Sequence, residues 1–279
     1  MKSLIEVFND SIKVKILLNI AYKDKVSEKL IYEEEKINNK DIEMTLDFLI
    51  SNNFLFKENG FFKLTDKGKK LSYTLKEFEG SKSFLKEIRD IDISPEYKVL
   101  DIGCGGGAIL KEFENININT YGIDKNNFYL KVASLKSKSK LIKSDAQLLP
   151  FRQKSFDIVI CFLVFPYLNN ESKTLSEISR VINEEGYLLL KTHRYWFYLN
   201  NILMRKNFTF KKRIESIIVI LNTIYYLIFG KKIIFKGNVI ESFQIGKNIR
   251  RELYKKNFKI IKSKISKNKN FLLIIAKKF

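Results

Sequence analysis

Apolar positions between Ile12 and Leu75 first recur at helical spacing and then alternate. Ile12, Ile16, Leu17 and Ile20 fall on one helical face, and a second helix starts near Ser27 and continues through Glu28, Leu30 and Ile31. Asn39 is a capping residue for a third helix, whose Ile42, Leu46, Leu49 and Ile50 share one side. Phe54–Phe56 and Phe61–Leu64 then read as two strands joined through Asn59-Gly60, a dipeptide that takes up the positive φ angles of a tight hairpin. From Ser72 to Pro95 the chain is polar, with Phe78, Phe84, Leu85 and Ile88 spaced as on a linking helix over residues 76–94.

Beyond Tyr97 the pattern changes to short apolar strands separated by helices. Lys98–Ile102 is the first strand and runs into Gly103-Cys104-Gly105-Gly106-Gly107, followed by a helix from Ala108 to Phe113. Thr120–Asp124, Leu141–Asp145 and Ser155–Cys161 are the next three strands. A helix from Leu175 to Glu185, stopped at Gly186, precedes a fifth strand, Tyr187–Lys191. Phe258–Ile265 and Phe271–Lys277 read as two adjacent strands. Strands alternating with helices predict an α/β domain around a largely parallel sheet.

The chain has 279 residues, 45% of them hydrophobic, enough for one large domain and a smaller one. Its two cysteines, Cys104 and Cys161, form no CxxC pair, and His193 is the single histidine, so neither a disulfide framework nor a metal cluster is expected. The opening residues carry no apolar stretch of signal-peptide length, and no segment reaches the roughly 18 apolar residues of a spanning helix, so a cytoplasmic location is expected.

The net charge of +20 points toward an anionic partner. Only eight of the 51 basic residues are arginines, however, the side chain best suited to phosphates and base edges, and abundant Lys, Ile and Asn are what an AT-rich genome writes everywhere. The charge therefore fits either background or function. On the third helix, Asp41, Glu43 and Asp47 face Lys40 alone, which would repel a DNA backbone.

Glycines after a strand let a ligand approach the backbone, but Gly103, Gly105 and Ala108 satisfy the fingerprint of nicotinamide and flavin enzymes as well. Asp124, 23 residues after Asp101, can accept both hydroxyls of a ribose with either kind of cofactor. The strand, acid and glycine run closely resembles motif I of class I S-adenosylmethionine-dependent methyltransferases. Leu141–Phe151, with Asp145 and a Leu-Pro-Phe turn, resembles the adenine-binding motif of the UbiE-like branch, and the two last strands resemble the reversed hairpin of that family. The resemblance spans about residues 94–194 and, more weakly, the C-terminal tail.

It implies a Rossmann-like, seven-stranded sheet over residues 95–279 and S-adenosylmethionine as cofactor. By the same resemblance the glycine loop passes the methionine part and Asp101 organises its contacts to the amino group. Asp145 would accept from the adenine amino group and the Ala146 amide would donate to the ring. Cys104, Lys125 and Cys161 complete the expected cofactor edge. The three helices and hairpin of residues 1–75, ending in Phe62–Gly68, resemble a winged helix, and an acidic third helix suits the dimerisation or substrate-closing use of that domain in small-molecule O-methyltransferases.

Methyl transfer is an in-line displacement, so alignment matters most, and a base is needed only for a protonated nucleophile. His193 is the candidate of suitable pKa; a packing histidine beside Arg194 is the alternative. Phe165-Pro166-Tyr167 lacks the polar first residue of the amino-group methyltransferase motif, which argues against adenine or a glutamine amide as acceptor.

Residues 195–243 form an insertion after the fifth strand, where this family places a cap. Within it Ser216–Phe229 is an uncharged run flanked by Lys211-Lys212-Arg213 and Lys231-Lys232, too short to span a membrane. It fits a cap helix packed on the domain or a partner subunit, a lid over an apolar pocket, or a peripheral membrane contact through 211–232. The expected activity is methyl transfer to a small, apolar, aromatic or lipid-like acceptor; a homodimer is compatible with the winged-helix resemblance, and the oligomeric state is not legible in the sequence. An RNA methyltransferase and a winged-helix regulator with a ligand-sensing domain are the alternatives.

Overall fold

In the computed structural model the described residues are 2–23, 25–34, 38–81, 84–89, 91–203, 210–229, 232–235, 238–239, 246–267 and 269–279. Parts of the expected cap, residues 204–209, 230–231, 236–237 and 240–245, lie outside them. The chain divides into two units, one of Met1–Asp92, Gly105–Glu112 and Asn126–Lys138, the other of Ile93–Cys104, Phe113–Lys125 and Ser139–Phe279.

The first unit begins with α1 (Lys2–Asn9), an element outside the sequence reading, which buries Leu4 and Val7. It continues through α2 (Ser11–Lys23), β1 (Val26–Ser27), α3 (Glu28–Glu34), α4 (Asn39–Ser51), β2 (Leu55–Glu58), β3 (Phe61–Leu64), α5 (Asp66–Ser81) and α6 (Phe84–Glu87). The three strands form an antiparallel sheet in the order β1-β3-β2. Asn59 and Gly60 take φ angles of 50° and 77° at the hairpin, as an Asn-Gly turn requires. Ile16, Leu17, Ile20, Ile31, Ile42, Leu49, Phe54 and Leu71 are enclosed in one core with Val132.

Two details of α4 differ from expectation. The cap is Asn38, whose side chain accepts from the Lys40 amide at 2.9 Å, and Asn39 is the first helical residue. Ile50 is 38% exposed while Thr45 lies on the buried face, because Ile42, Thr45, Leu46 and Leu49 form the tighter helical stripe. The linking helix is also split differently, into α5 and α6, with residues 82–83 outside the described set.

The later elements are β4 (Lys98–Ile102), α7 (Ala108–Glu114), β5 (Asn119–Asp124), α8 (Asn127–Lys136), β6 (Lys140–Lys143), β7 (Phe156–Phe162), α9 (Glu171–Val181) and β8 (Ile182–His193). After them come α10 (Tyr195–Leu203), α11 (Phe210–Phe229), β9 (Ile234–Phe235), β10 (Asn238–Val239), α12 (Gly246–Lys255), β11 (Phe258–Ile265) and β12 (Phe271–Lys278). Seven strands form one sheet in the order β11-β12-β8-β7-β4-β5-β6. β4 to β8 run parallel, while β12 and β11 run antiparallel, the reversed C-terminal hairpin. Leu100, Ile102, Val159, Cys161, Leu188, Leu190 and Ile274 fill the core of this unit.

Gly186 is not a helix stop. α9 ends at Val181, where the apolar spacing of Leu175, Ile178 and Val181 ends, and Ile182 at once pairs with Phe156. Between the Phe156–Ile182 and Ile158–Tyr187 pairs, four residues of β8 oppose Asp157 alone. Glu185 takes the positive φ, 64°, and a Cβ on Gly186 would stand 2.9 Å from the Asn183 carbonyl oxygen. Asp157 holds this bulge by accepting from the Asn183 side-chain amide at 2.6 Å and from the Lys98 backbone amide at 2.8 Å.

Candidate active site

The order of the parallel strands fixes where a ligand can sit. The chain enters the sheet at β4, moves outward through β5 and β6, then returns to the other side of β4 as β7 and β8. The two directions part at β4, and the crevice beyond the carboxyl ends of the strands at such a switch point is where open α/β sheets bind ligands.

Register aligns the candidate residues along this edge. Asp101 stands level with Gly122 of β5 and Ile160 of β7, and Ile102 with Ile123 and Cys161. Asp101 is buried inside β4, one residue before its end. Asp124, the last residue of β5, stands level with Lys143, the last of β6. Asp145 lies two residues past the end of β6, not within a strand as the sequence reading had it. The three acids thus lie within two residues of the ends of three adjacent strands.

Past β4 the chain turns abruptly. The Gly103 and Cys104 amides both donate to the Ile123 carbonyl, at 2.8 and 2.9 Å, so the loop is folded back over the end of β5. Gly103 has a φ of 71°, and a Cβ there would come within 2.3 Å of Val164 Cγ2. Only glycine meets both demands. Gly105 continues the loop at a φ of 53°. Val164, a residue that no motif would single out, therefore shapes the loop from the segment after β7.

The turn after β6 is held from both sides. Asp145 Oδ1 accepts from the Gln147 backbone amide at 2.8 Å and from its side-chain amide at 3.2 Å, and Ala146 beside it is buried. The Ser144 amide donates to the Asp124 carbonyl at 3.2 Å, joining the two acid-bearing turns. Farther along, Arg180 donates to the Phe151 carbonyl at 2.7 Å and the Leu149 carbonyl at 3.0 Å, while Glu177 accepts from the Leu149 amide at 2.7 Å. Glu177 and Arg180, one turn apart on α9, are themselves bonded twice at 2.8 Å. The guanidinium holds the Glu177 carboxyl below its ordinary range, against the opposing effect of partial burial. This pair clamps the Leu149-Pro150-Phe151 turn and was not legible in the motif itself.

Lys125 is exposed, whereas Cys161 is fully enclosed in the core. Burial first, and the Asp101 carboxylate second, push the Cys161 thiol upward, so it stays protonated. Its side chain is a packing group.

His193 ends β8, paired with Phe271 of β12. Its ring stacks on Phe197 at a centroid distance of 4.4 Å, meets Phe271 at 5.2 Å, and has Nδ1 3.4 Å from the Tyr198 hydroxyl. Burial, reinforced by Lys191, lowers its pKa to about 4. The ring is neutral at pH 7 and a weak proton acceptor.

A second tie reaches this edge from the chain beyond α11. The enclosed Lys232 ammonium pairs with Glu171 at 2.6 Å and donates to the Phe165 carbonyl at 3.3 Å, in the 3-10 turn that follows Val164. Among the described residues no group of three or more His, Cys, Asp or Glu could hold a metal ion.

An open sheet of order β6-β5-β4-β7-β8 with a reversed hairpin, and a glycine turn and three acids along one edge, define the class I S-adenosylmethionine-dependent methyltransferases. Residues 100–190 match the family described as a methyltransferase domain, so the chain carries such a domain, and S-adenosylmethionine is its cofactor. An uncharacterised protein of Methanocaldococcus jannaschii, MJ1252, is 33% identical over 181 residues, covering 63% of this chain and 65% of that protein. The ubiquinone/menaquinone biosynthesis C-methyltransferase UbiE of Campylobacter jejuni is 30% identical over 118 residues, 39% of this chain and 50% of the relative. These matches take in less than two thirds of the relatives' own length. A solved S-adenosylmethionine-dependent methyltransferase from Mesorhizobium loti superposes with a TM-score of 0.54 at 13% identity, covering 72% of this chain and 100% of the other, a likeness of fold.

Proposed function

We propose that this protein transfers the methyl group of S-adenosylmethionine to a small, apolar or aromatic acceptor. The observation that carries the reading is the line of Asp101, Asp124 and Asp145 along three successive strand ends at the switch point. Carboxylates only accept hydrogen bonds, and they favour positive charge. A ligand that offers an ammonium group, two ribose hydroxyls and an adenine amino group fits that series; a dinucleotide pyrophosphate would meet repulsion at Asp101.

The residues divide the work. Asp101 and the Gly103–Gly105 turn receive the amino-acid end, Asp124 the ribose, and Asp145 with the Ala146 amide the base; the Glu177–Arg180 clamp keeps the last of these in place. When bound, the cofactor would supply an electrophilic methyl on a sulfonium, with the thioether as leaving group. The chain must hold the acceptor in line and keep water out. The aromatic cluster of His193, Phe197, Tyr198 and Phe271 suits a planar, apolar acceptor. With a pKa of about 4, His193 serves there as a stacking and orienting group, not as the base. The first unit, with its antiparallel hairpin and acidic α4, is read as a winged helix used for dimerisation or substrate closing.

Calorimetry with adenosylhomocysteine tests the cofactor assignment: the parent chain should bind and Asp124→Ala should weaken binding by at least ~10-fold, since the ribose loses its charged acceptor. A folded sample that releases no heat overturns the reading. Mass spectrometry of extracts incubated with enzyme and isotopically labelled methyl donor should then find the label in an apolar or aromatic small molecule. Because of the +20 charge, RNA is the acceptor to test beside it; label in RNA would replace the small-molecule reading.

A further inference from the structure

α11 is folded with its polarity inverted. From Arg213 to Phe229 its buried residues are Ser216, Val219, Asn222 and Thr223, three of the four polar, with Asn222 fully enclosed. Its exposed residues include Ile214, Ile217, Ile218, Leu221, Ile224, Tyr225, Ile228 and Phe229, with Leu221 at 59% and Ile228 at 67% exposure. At ~100° per residue these eight fall within an arc of about 140°, with the exposed Leu227 about 60° beyond its edge, and no charged side chain occurs from Ser216 to Phe229. A surface helix of a water-soluble domain shows the opposite arrangement.

The inversion is anchored, not accidental. Asn222 Oδ1 accepts from the Ile233 amide at 2.9 Å, tying the chain beyond α11 back to the polar side of the helix, and Thr223 donates to the Val219 carbonyl at 2.8 Å. Polar groups and their partners therefore determine which side of α11 faces the protein, and the apolar arc is left outward.

We propose that α11 is an interfacial helix by which the protein docks on an anionic lipid bilayer. The helix has 20 residues, but Lys211, Lys212, Arg213 and Glu215 occupy its first turns, and no described helix is long and apolar enough to cross a membrane. It lies along the surface, with the arc among the acyl chains. The neighbouring α10 packs on α11 and exposes Tyr195 and Trp196, ring types that settle at the headgroup level. Each carries a cation: Arg194 lies 5.6 Å from the Tyr195 ring and Lys269 5.9 Å from that of Trp196. Charge selects the occupant. At this face a second copy would add a basic run of like charge, whereas an anionic leaflet attracts the one at the start of α11.

The docking is independent of the methyltransferase reading and is tested without turnover. The full chain is floated with vesicles of phosphatidylcholine alone and of phosphatidylcholine with about 30% phosphatidylglycerol. Binding should be confined to the anionic vesicles, weaken in ~1 M salt, and fall at least ~10-fold in the double variant Leu221→Glu, Ile228→Glu, whose sites are exposed and leave the core intact. Trp196 is the single tryptophan, so its emission should shift to the blue on binding and be quenched by brominated lipid. Equal flotation of parent and variant, or an unquenched Trp196, overturns the proposal. So does lipid-free dimerisation in sedimentation velocity that the double variant abolishes, since the face would then belong to a second copy.

Discussion

Replacing Arg180 by methionine removes one side chain that ties α9 to the Leu149–Phe151 turn. Arg180 makes two hydrogen bonds to backbone carbonyls, of Leu149 and Phe151, and two to Glu177. Hydrogen bonds to a charged donor contribute ~1.5–3 kcal/mol each when enclosed. With about a third of the arginine side chain exposed, the ion-pair part is screened toward the ~0.5–1 kcal/mol of surface pairs. Methionine keeps much of the apolar stem, so packing changes little. The expected loss is about 2–4 kcal/mol, a fall in melting temperature of about 5–15 °C at ~2–4 °C per kcal/mol. Because this turn directly follows the segment of Asp145 and Ala146, proposed to hold the base, adenosylhomocysteine should bind about 10-fold more weakly, ~1.4 kcal/mol. Glu177→Gln, which can still accept from the Leu149 amide, should show a smaller effect of the same sign. Thermal melts and calorimetry on the three proteins decide the matter. A melting temperature within ~1 °C of the parent together with unchanged affinity would refute the clamp.

Three further perturbations probe other parts of the site. His193 has its pKa lowered from 6.5 to about 4, so its contribution to stability is present above pH 6.5 and is lost as pH falls toward 4, by up to ~1.4 kcal/mol per pH unit. As the sole histidine it can be followed by NMR, where a midpoint near 6.5 would contradict its enclosed environment; His193→Phe should flatten the acid limb of a stability-versus-pH curve. Gly103→Ala combines ~1–3 kcal/mol of backbone strain with the clash on Val164, and adding Val164→Ala should recover the clash but not the strain, as urea unfolding can measure. Lys232→Met removes the ammonium from a largely enclosed ion pair with Glu171 and should cost ~3–5 kcal/mol, while the double change with Glu171→Gln should restore most of it; a double variant as unstable as the single one would dismiss the pair.

What could be read along the chain was whatever depends on near neighbours. Short, nearly continuous apolar runs marked β4, β5 and β7, because a central parallel strand is apolar on both faces, and glycine or acid marked where the first two stop. Asn59-Gly60 marked the hairpin for a similarly local reason. Boundaries set by partners were misplaced: Gly186 looks like a helix stop, but is needed where Asp157 and Asn183 approach the backbone. The Glu177–Arg180 pair could not be assigned to the Leu149–Phe151 turn, which lies 28 to 31 residues away, because nothing in an i, i+3 ion pair names its third partner.

The amino-acid order by itself determined the α/β alternation, the glycine turn and the three acids, since strand period, turn chemistry and charge are properties of residues and their immediate sequence. Only the tertiary structure decided that β5 and β6 follow β4 in the sheet and so line those acids along one open edge, that His193 is wrapped in aromatic rings and loses its basicity, and that α11 turns its apolar side outward. Each of these depends on which distant surfaces exclude water from which side chains, and burial is settled by the folded chain as a whole.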